Sequence, residues 1–252
     1  MSHLAMIAGV LLSLFSGACA FAQTVVVPPS RANSEGNTGL QYTTTGGSIF
    51  QQLYGSSLLS GFPIGSQITA MQVRLNGGDP SGPSEVLSTP NFDIYLGPSN
   101  FTVGSLSSSV AANQGPGTVQ VRNGPLSFGI NSYPGGATPN AFGPVINFST
   151  PYIYTGGDLL MTITWSHAQA FTFIRWDFDN AIVGAQYREN GFYNDPVVPN
   201  NVTNGALIVQ FQYAAVPEPT TLAFTGCAKL VAGAWYYRRR QNRLAILDQL
   251  SE

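Results

Sequence analysis

The chain has 252 residues, a formal net charge of −2 and 9% charged side chains, against about 25% in an ordinary soluble protein. Five arginines less nine acids, with no lysine, give −4 for residues 23–215. That charge excludes the basic surface a nucleic-acid partner requires. A surface of Ser, Thr, Asn, Gln and Gly offers hydrogen bonds but little field.

Residues 1–22 open with an apolar run from Leu4 to Phe15, followed by Ala18-Cys19-Ala20 and Ala20-Phe21-Ala22. This is the layout of a secretory signal peptide with an A-x-A cleavage site. Cleavage is expected after Ala22, leaving Gln23 as the first mature residue. A lipoprotein reading at Cys19 is disfavoured, because Ser16 stands where such signals usually carry Leu. Cys19 and Cys227 are the two cysteines of the chain. The part between them therefore has no intrachain disulfide and must fold on its core alone. Residues 23–215 are long enough to do so as one domain.

That stretch reads as strands and turns. Met71, Val73 and Leu75 alternate with Gln72 and Arg74; Phe92, Ile94 and Leu96 with Asp93 and Tyr95. Leu159, Met161, Ile163 and Trp165 alternate with Leu160, Thr162 and Thr164; Leu207, Val209, Phe211 and Tyr213 with Ile208, Gln210 and Gln212. Period-two patterning puts one face on a core and the other near water. Further strands are expected at 39–45, 49–54, 118–122, 126–130, 145–149 and 171–178. Turn clusters such as Asn76-Gly77-Gly78-Asp79-Pro80 and Tyr133-Pro134-Gly135-Gly136 separate them, glycine supplying positive φ and proline fixing its own. The expected class is all-β, a β-sandwich of which the jelly roll is one form.

Candidate sites are few. In Arg175-Trp176-Asp177-Phe178-Asp179-Asn180, an extended backbone puts Arg175, Asp177 and Asp179 on one face. Asp177 and Asp179 can then bind calcium with backbone carbonyls; the alternatives are an Arg–Asp surface ladder beside a turn or a glycosidase pair, for which the spacing is short. Tyr187, Phe192 and Tyr193 flank Arg188-Glu189-Asn190-Gly191 in an expected hairpin or long loop. Aromatics among amides and carboxylates suit a sugar-binding face, or fold back onto the sandwich. His167 is the one histidine of the mature part, where no cysteine and no G-x-S-x-G occurs. The sequence therefore shows no nucleophile–base or zinc set, the expectation is that the protein is not an enzyme, and no cofactor is expected besides calcium.

At the C-terminus Val216-Pro217-Glu218-Pro219 follows the last strand, and the prolines end any regular element there. Residues 220–237 are mostly apolar and, as a helix, would reach about 27 Å, enough to cross a hydrocarbon core. Trp235, Tyr236 and Tyr237 suit the membrane interface, and Arg238, Arg239 and Arg240 suit its cytoplasmic side. Lys229 near the middle costs about 2.5–3.5 kcal/mol on insertion. An amphipathic helix lying on the membrane is the alternative. Residues 241–252 are then a cytoplasmic tail.

Motif, helix and basic cluster in this order resemble the PEP-CTERM sorting signal of Gram-negative bacteria over residues 216–240. The resemblance implies export across the inner membrane by the Sec machinery and recognition at Pro217-Glu218-Pro219 by an exosortase. Tail removal and delivery to the cell surface or an extracellular polysaccharide matrix would follow. The three motif residues would be substrate, not catalyst. A second likeness, to uncharacterised PEP-CTERM ectodomains, rests on Ser48-Ile49-Phe50-Gln51-Gln52-Leu53-Tyr54-Gly55-Ser56, Ile68-Thr69-Ala70-Met71-Gln72-Val73-Arg74, Leu106-Ser107-Ser108, Ala111-Ala112-Asn113, Gly124-Pro125-Leu126-Ser127, Thr150-Pro151-Tyr152-Ile153-Tyr154 and Gly157-Asp158-Leu159-Leu160. It implies a β-sandwich ectodomain and carries no activity. The function expected is a surface or matrix protein of structural or interaction type; the alternative is a lectin-like carbohydrate-binding module.

Overall fold

Alternation of apolar and polar side chains becomes strand almost wherever it occurs. In the computed structural model, which describes residues 22–43, 48–166, 173–190, 201–215, 233 and 235–239, the protein is all-β. The strands are β1 (Ala22–Val27), β2 (Thr38–Thr43), β3 (Ser48–Tyr54), β4 (Gln67–Val73), β5 (Leu87–Thr89), β6 (Phe92–Gly97), β7 (Val119–Arg122) and β8 (Leu126–Phe128). They continue with β9 (Ile146–Ile153), β10 (Leu159–Trp165), β11 (Phe173–Asp179), β12 (Ala185–Asn190), β13 (Asn201–Asn204), β14 (Ala206–Leu207) and β15 (Val209–Ala214). One helical turn, α1 (Val110–Asn113), is capped by the Ser109 side chain, which accepts from the Ala112 N–H.

All pairings are antiparallel. One sheet has the order β1-β15-β4-β9 and a second the order β13-β12-β3-β10-β6-β7. Smaller sheets are β14-β11-β2 and β5-β8. Val27, Met71 and Phe211 from the first sheet share one buried cluster with Phe50, Ile94 and Ile163 from the second and Trp176 from the third. The expected strands at 49–54, 92–96 and 159–165 lie within β3, β6 and β10. Four strands were not expected: β1, β5, β13 and β12, the last of which turns the expected hairpin flank around Tyr187 into ladder.

The first strand pairs with the last, Ala22 opposite Ala214 and Val27 opposite Val209. Phe21–Ala215 form one compact unit. Of the expected C-terminal segment, residues 235–239 are helical, and the Arg239 guanidinium lies 5.2 Å from the centre of the Trp235 ring. Among the described residues no helix is long and apolar enough to cross a membrane. Val216, Pro217, Glu218, Pro219 and Arg240 lie outside the described residues, as do residues 1–21.

Candidate functional site

Strand β11 turns Trp176 and Phe178 into the core and puts Arg175, Asp177 and Asp179 on its other face, as the period-two spacing requires. The three do not pair with one another. Arg175 reaches across to Asp79, its Nε 3.0 Å from Oδ2 and its second contact going to Oδ1. Asp177 Oδ2 accepts from Arg74 Nε at 2.8 Å, and Asp179 Oδ2 accepts from Arg31 Nε at 2.6 Å.

The two aspartates are fully buried because the segment between β1 and β2 lies over them. Arg74 Nη2 donates to the carbonyls of Arg31 and Ser34, at 3.0 and 2.5 Å. Gly36 N donates to Asp177 Oδ1 at 2.9 Å, and Ala181 N to Asp179 Oδ1 at 2.9 Å. A Cβ at position 36 would collide with the Phe178 carbonyl oxygen, so this approach needs glycine. Burial pushes the Asp177 carboxyl above its ordinary value; the Arg74 contact and the Gly36 N–H pull it back, and the Glu35 charge adds to the rise. The calcium candidates Asp177 and Asp179 thus have all four carboxylate oxygens on guanidinium or backbone N–H donors, and, buried and unpaired with Arg175, they are not the Arg–Asp surface ladder that was the other expectation. Among the described residues no group of three His, Cys, Asp or Glu could hold a metal.

Tyr187 is a partly buried side chain of the core. Its ring makes a T-shaped contact with Phe178 at 4.7 Å and lies 6.0 Å from Phe50, so it packs against the core. Phe192, Tyr193 and His167 lie outside the described residues.

The segments 48–56, 106–108, 111–113 and 157–160 come together around β3. Gln51 Nε2 donates to Thr162 Oγ1 at 3.0 Å and to the Val110 carbonyl at 3.1 Å; Gln51 Oε1 accepts from Asn113 Nδ2 at 2.9 Å. Asn113 is itself held by Ser107, through N–H to Oδ1 and Nδ2 to O. Gln186 Oε1 accepts from the backbone of Gly104 and Leu106. These bonds fasten residues 103–113 over one face of the six-stranded sheet, where Leu53, Leu106 and Leu160 form a second small core. On the opposite face Gln52 bonds the Gln186 and Gly205 carbonyls and the Leu207 N–H. Tyr54 Oη donates to the Leu207 carbonyl at 2.7 Å, and burial keeps its phenol well above the ordinary value. Ser56 N donates to Asp158 at 2.8 Å. The motif residues thus wire layers together. Two adjacent glutamines inside an apolar strand were the sequence signal for this; Arg74 gave none, standing where alternation expects a solvated side chain.

A pocket of about 310 Å³ opens where the 79–84 loop meets β11. Its floor is Leu75, Gly82, Pro83 and Ile174, all buried. Its rim carries Asp79 and Arg175, with Pro80, Ser81 and Ser84 exposed beside them.

No family model matches this chain. No curated protein matches it either. A solved structure of infectious bursal disease virus, Gt strain, is 14% identical to it with a TM-score of 0.11, over 80% of this chain and 44% of that one. The chain thus spans under half the length of that viral chain, and a likeness so low carries no argument about fold or function.

Proposed function

We propose that the chain is an exported, non-enzymatic surface or matrix protein of a Gram-negative bacterium: a β-sandwich ectodomain made as a membrane-anchored precursor and sorted by an exosortase. The observation that carries this reading is the β1–β15 ladder. The folded unit starts at the expected signal-peptide cut, with Ala22 opposite Ala214, and ends just before Val216-Pro217-Glu218-Pro219. Cutting after Ala22 and near Pro219 removes the first residue of β1 and leaves the rest of its ladder with β15 whole. The single core shared by the two large sheets supports the sandwich. The apolar stretch 220–237 and Arg238, Arg239 and Arg240 support the anchored precursor.

The test is the mass of the mature protein taken from its own host. A chain beginning at Gln23 and lacking everything after the Pro219 region is the expected result. Intact Trp235-containing peptide in the extracellular fraction would overturn it. A second reading, a carbohydrate-binding module, is favoured by the pocket on Leu75 and Ile174 with an ion pair at its rim.

A further inference from the structure

We infer that the pocket between the 79–84 loop and β11 is a binding site for one neutral sugar ring of a polysaccharide. The inference rests on the carbohydrate-binding reading and is independent of the sorting signal. The volume of about 310 Å³ stands at the lower end of the range for small-molecule sites, roughly 300–1,000 Å³, and so suits one ring, not an oligosaccharide buried whole. The lining is largely apolar, with Pro80 exposed at the mouth and Leu75, Gly82, Pro83 and Ile174 buried behind it. An exposed apolar wall such as Pro80 suits the C–H face of a pyranose, while the ring edge carries hydroxyls.

The rim supplies what hydroxyls need. Asp79 is an acceptor and Arg175 a donor, locked together through Nε and Nη2. Those contacts use two of the five N–H donors of a guanidinium. A planar carboxylate beside a planar guanidinium can bond two adjacent hydroxyls of one ring, accepting from one and donating to the other. The charges cancel, so a uronate would meet Asp79 and an amino sugar would meet Arg175; the neutral ring is favoured. Pro80 and Ser81 stand exposed at the mouth, where the polymer would enter and leave.

Gly82 lies close against the buried lining. A Cβ there would lie 3.3 Å from Ile174 Cγ2 and 3.9 Å from Leu75 Cδ1, tight enough that this edge of the pocket would have to shift. The experiment titrates the purified full chain, in a detergent without a sugar headgroup, with glucose, galactose, mannose and their uronates, read by saturation-transfer NMR and calorimetry. At least one neutral hexose is expected to saturate at millimolar concentration. Arg175→Gln and Gly82→Ala are each expected to weaken it about tenfold or more with the thermal transition kept. If Gly82→Ala fails to fold, Arg175→Gln decides, since that side chain is 48% exposed. Saturable binding unchanged in both variants overturns this site and leaves the carbohydrate reading. Binding of no sugar overturns both. Binding of uronates alone, or of apolar side chains from peptides instead of sugars, overturns the assigned ligand.

Discussion

Replacing Arg74 with methionine tests the buried ion network directly. The Arg74 and Asp177 side chains are 1% and 0% exposed, so the substitution leaves a carboxylate with no water to replace its partner. Methionine keeps an apolar stem near the Phe142 ring, which the guanidinium overlies at 5.2 Å, so the loss is electrostatic rather than one of packing. Removing one member of a buried pair costs about 3–5 kcal/mol. Arg175→Met breaks a pair whose arginine is 48% exposed, and exposed pairs contribute about 0.2–1 kcal/mol. The pH dependence has a definite sign. Burial raises the Asp177 carboxyl above its ordinary 3.8, so its contribution to stability is complete below that value and is lost as pH rises through the folded one. Without Arg74 the folded value climbs further, and the loss deepens and extends to higher pH. Urea unfolding followed by tryptophan fluorescence, Trp176 being buried in the core, should therefore show an Arg74→Met deficit that is small at about pH 3 and full at about pH 7. A deficit below about 1 kcal/mol at neutral pH, or one equal at both pH values, would refute the reasoning.

Two further outcomes follow from the same geometry. Gln51→Leu takes one partner from the Asn113 amide, which keeps its Ser107 bonds, and one from the Thr162 hydroxyl, at about 1–3 kcal/mol for each buried donor or acceptor left unpaired; the transition should move to lower urea, and residues 103–113 should be cut faster by protease, whereas unchanged proteolysis would count against their being fastened through Gln51. The melting temperature should be the same with chelator and with millimolar calcium, because Asp177 and Asp179 already bond Arg74, Arg31, Gly36 and Ala181; a calcium-dependent rise would show that a cation displaces an arginine.

The sequence alone determined the all-β class and the inward faces of the main strands. Leu159, Met161, Ile163 and Trp165 are buried as their alternation requires, because side-chain direction along a strand is local geometry. It also determined that Arg175, Asp177 and Asp179 share a face. What covers a face is not local. Leu160 and Thr162, expected near water, are 2% exposed because residues 103–113 lie over them. The partners of Arg175, Asp177 and Asp179 come from 96, 103 and 148 positions away along the chain, separations that no periodicity encodes. Strand β12 was unreadable for the same reason: Gln186 and Arg188, both polar, are buried at 7% and 3% exposure only because neighbouring strands and the 103–113 segment close around them. The pocket is tertiary too: it forms only where the 79–84 loop meets β11 and Leu75.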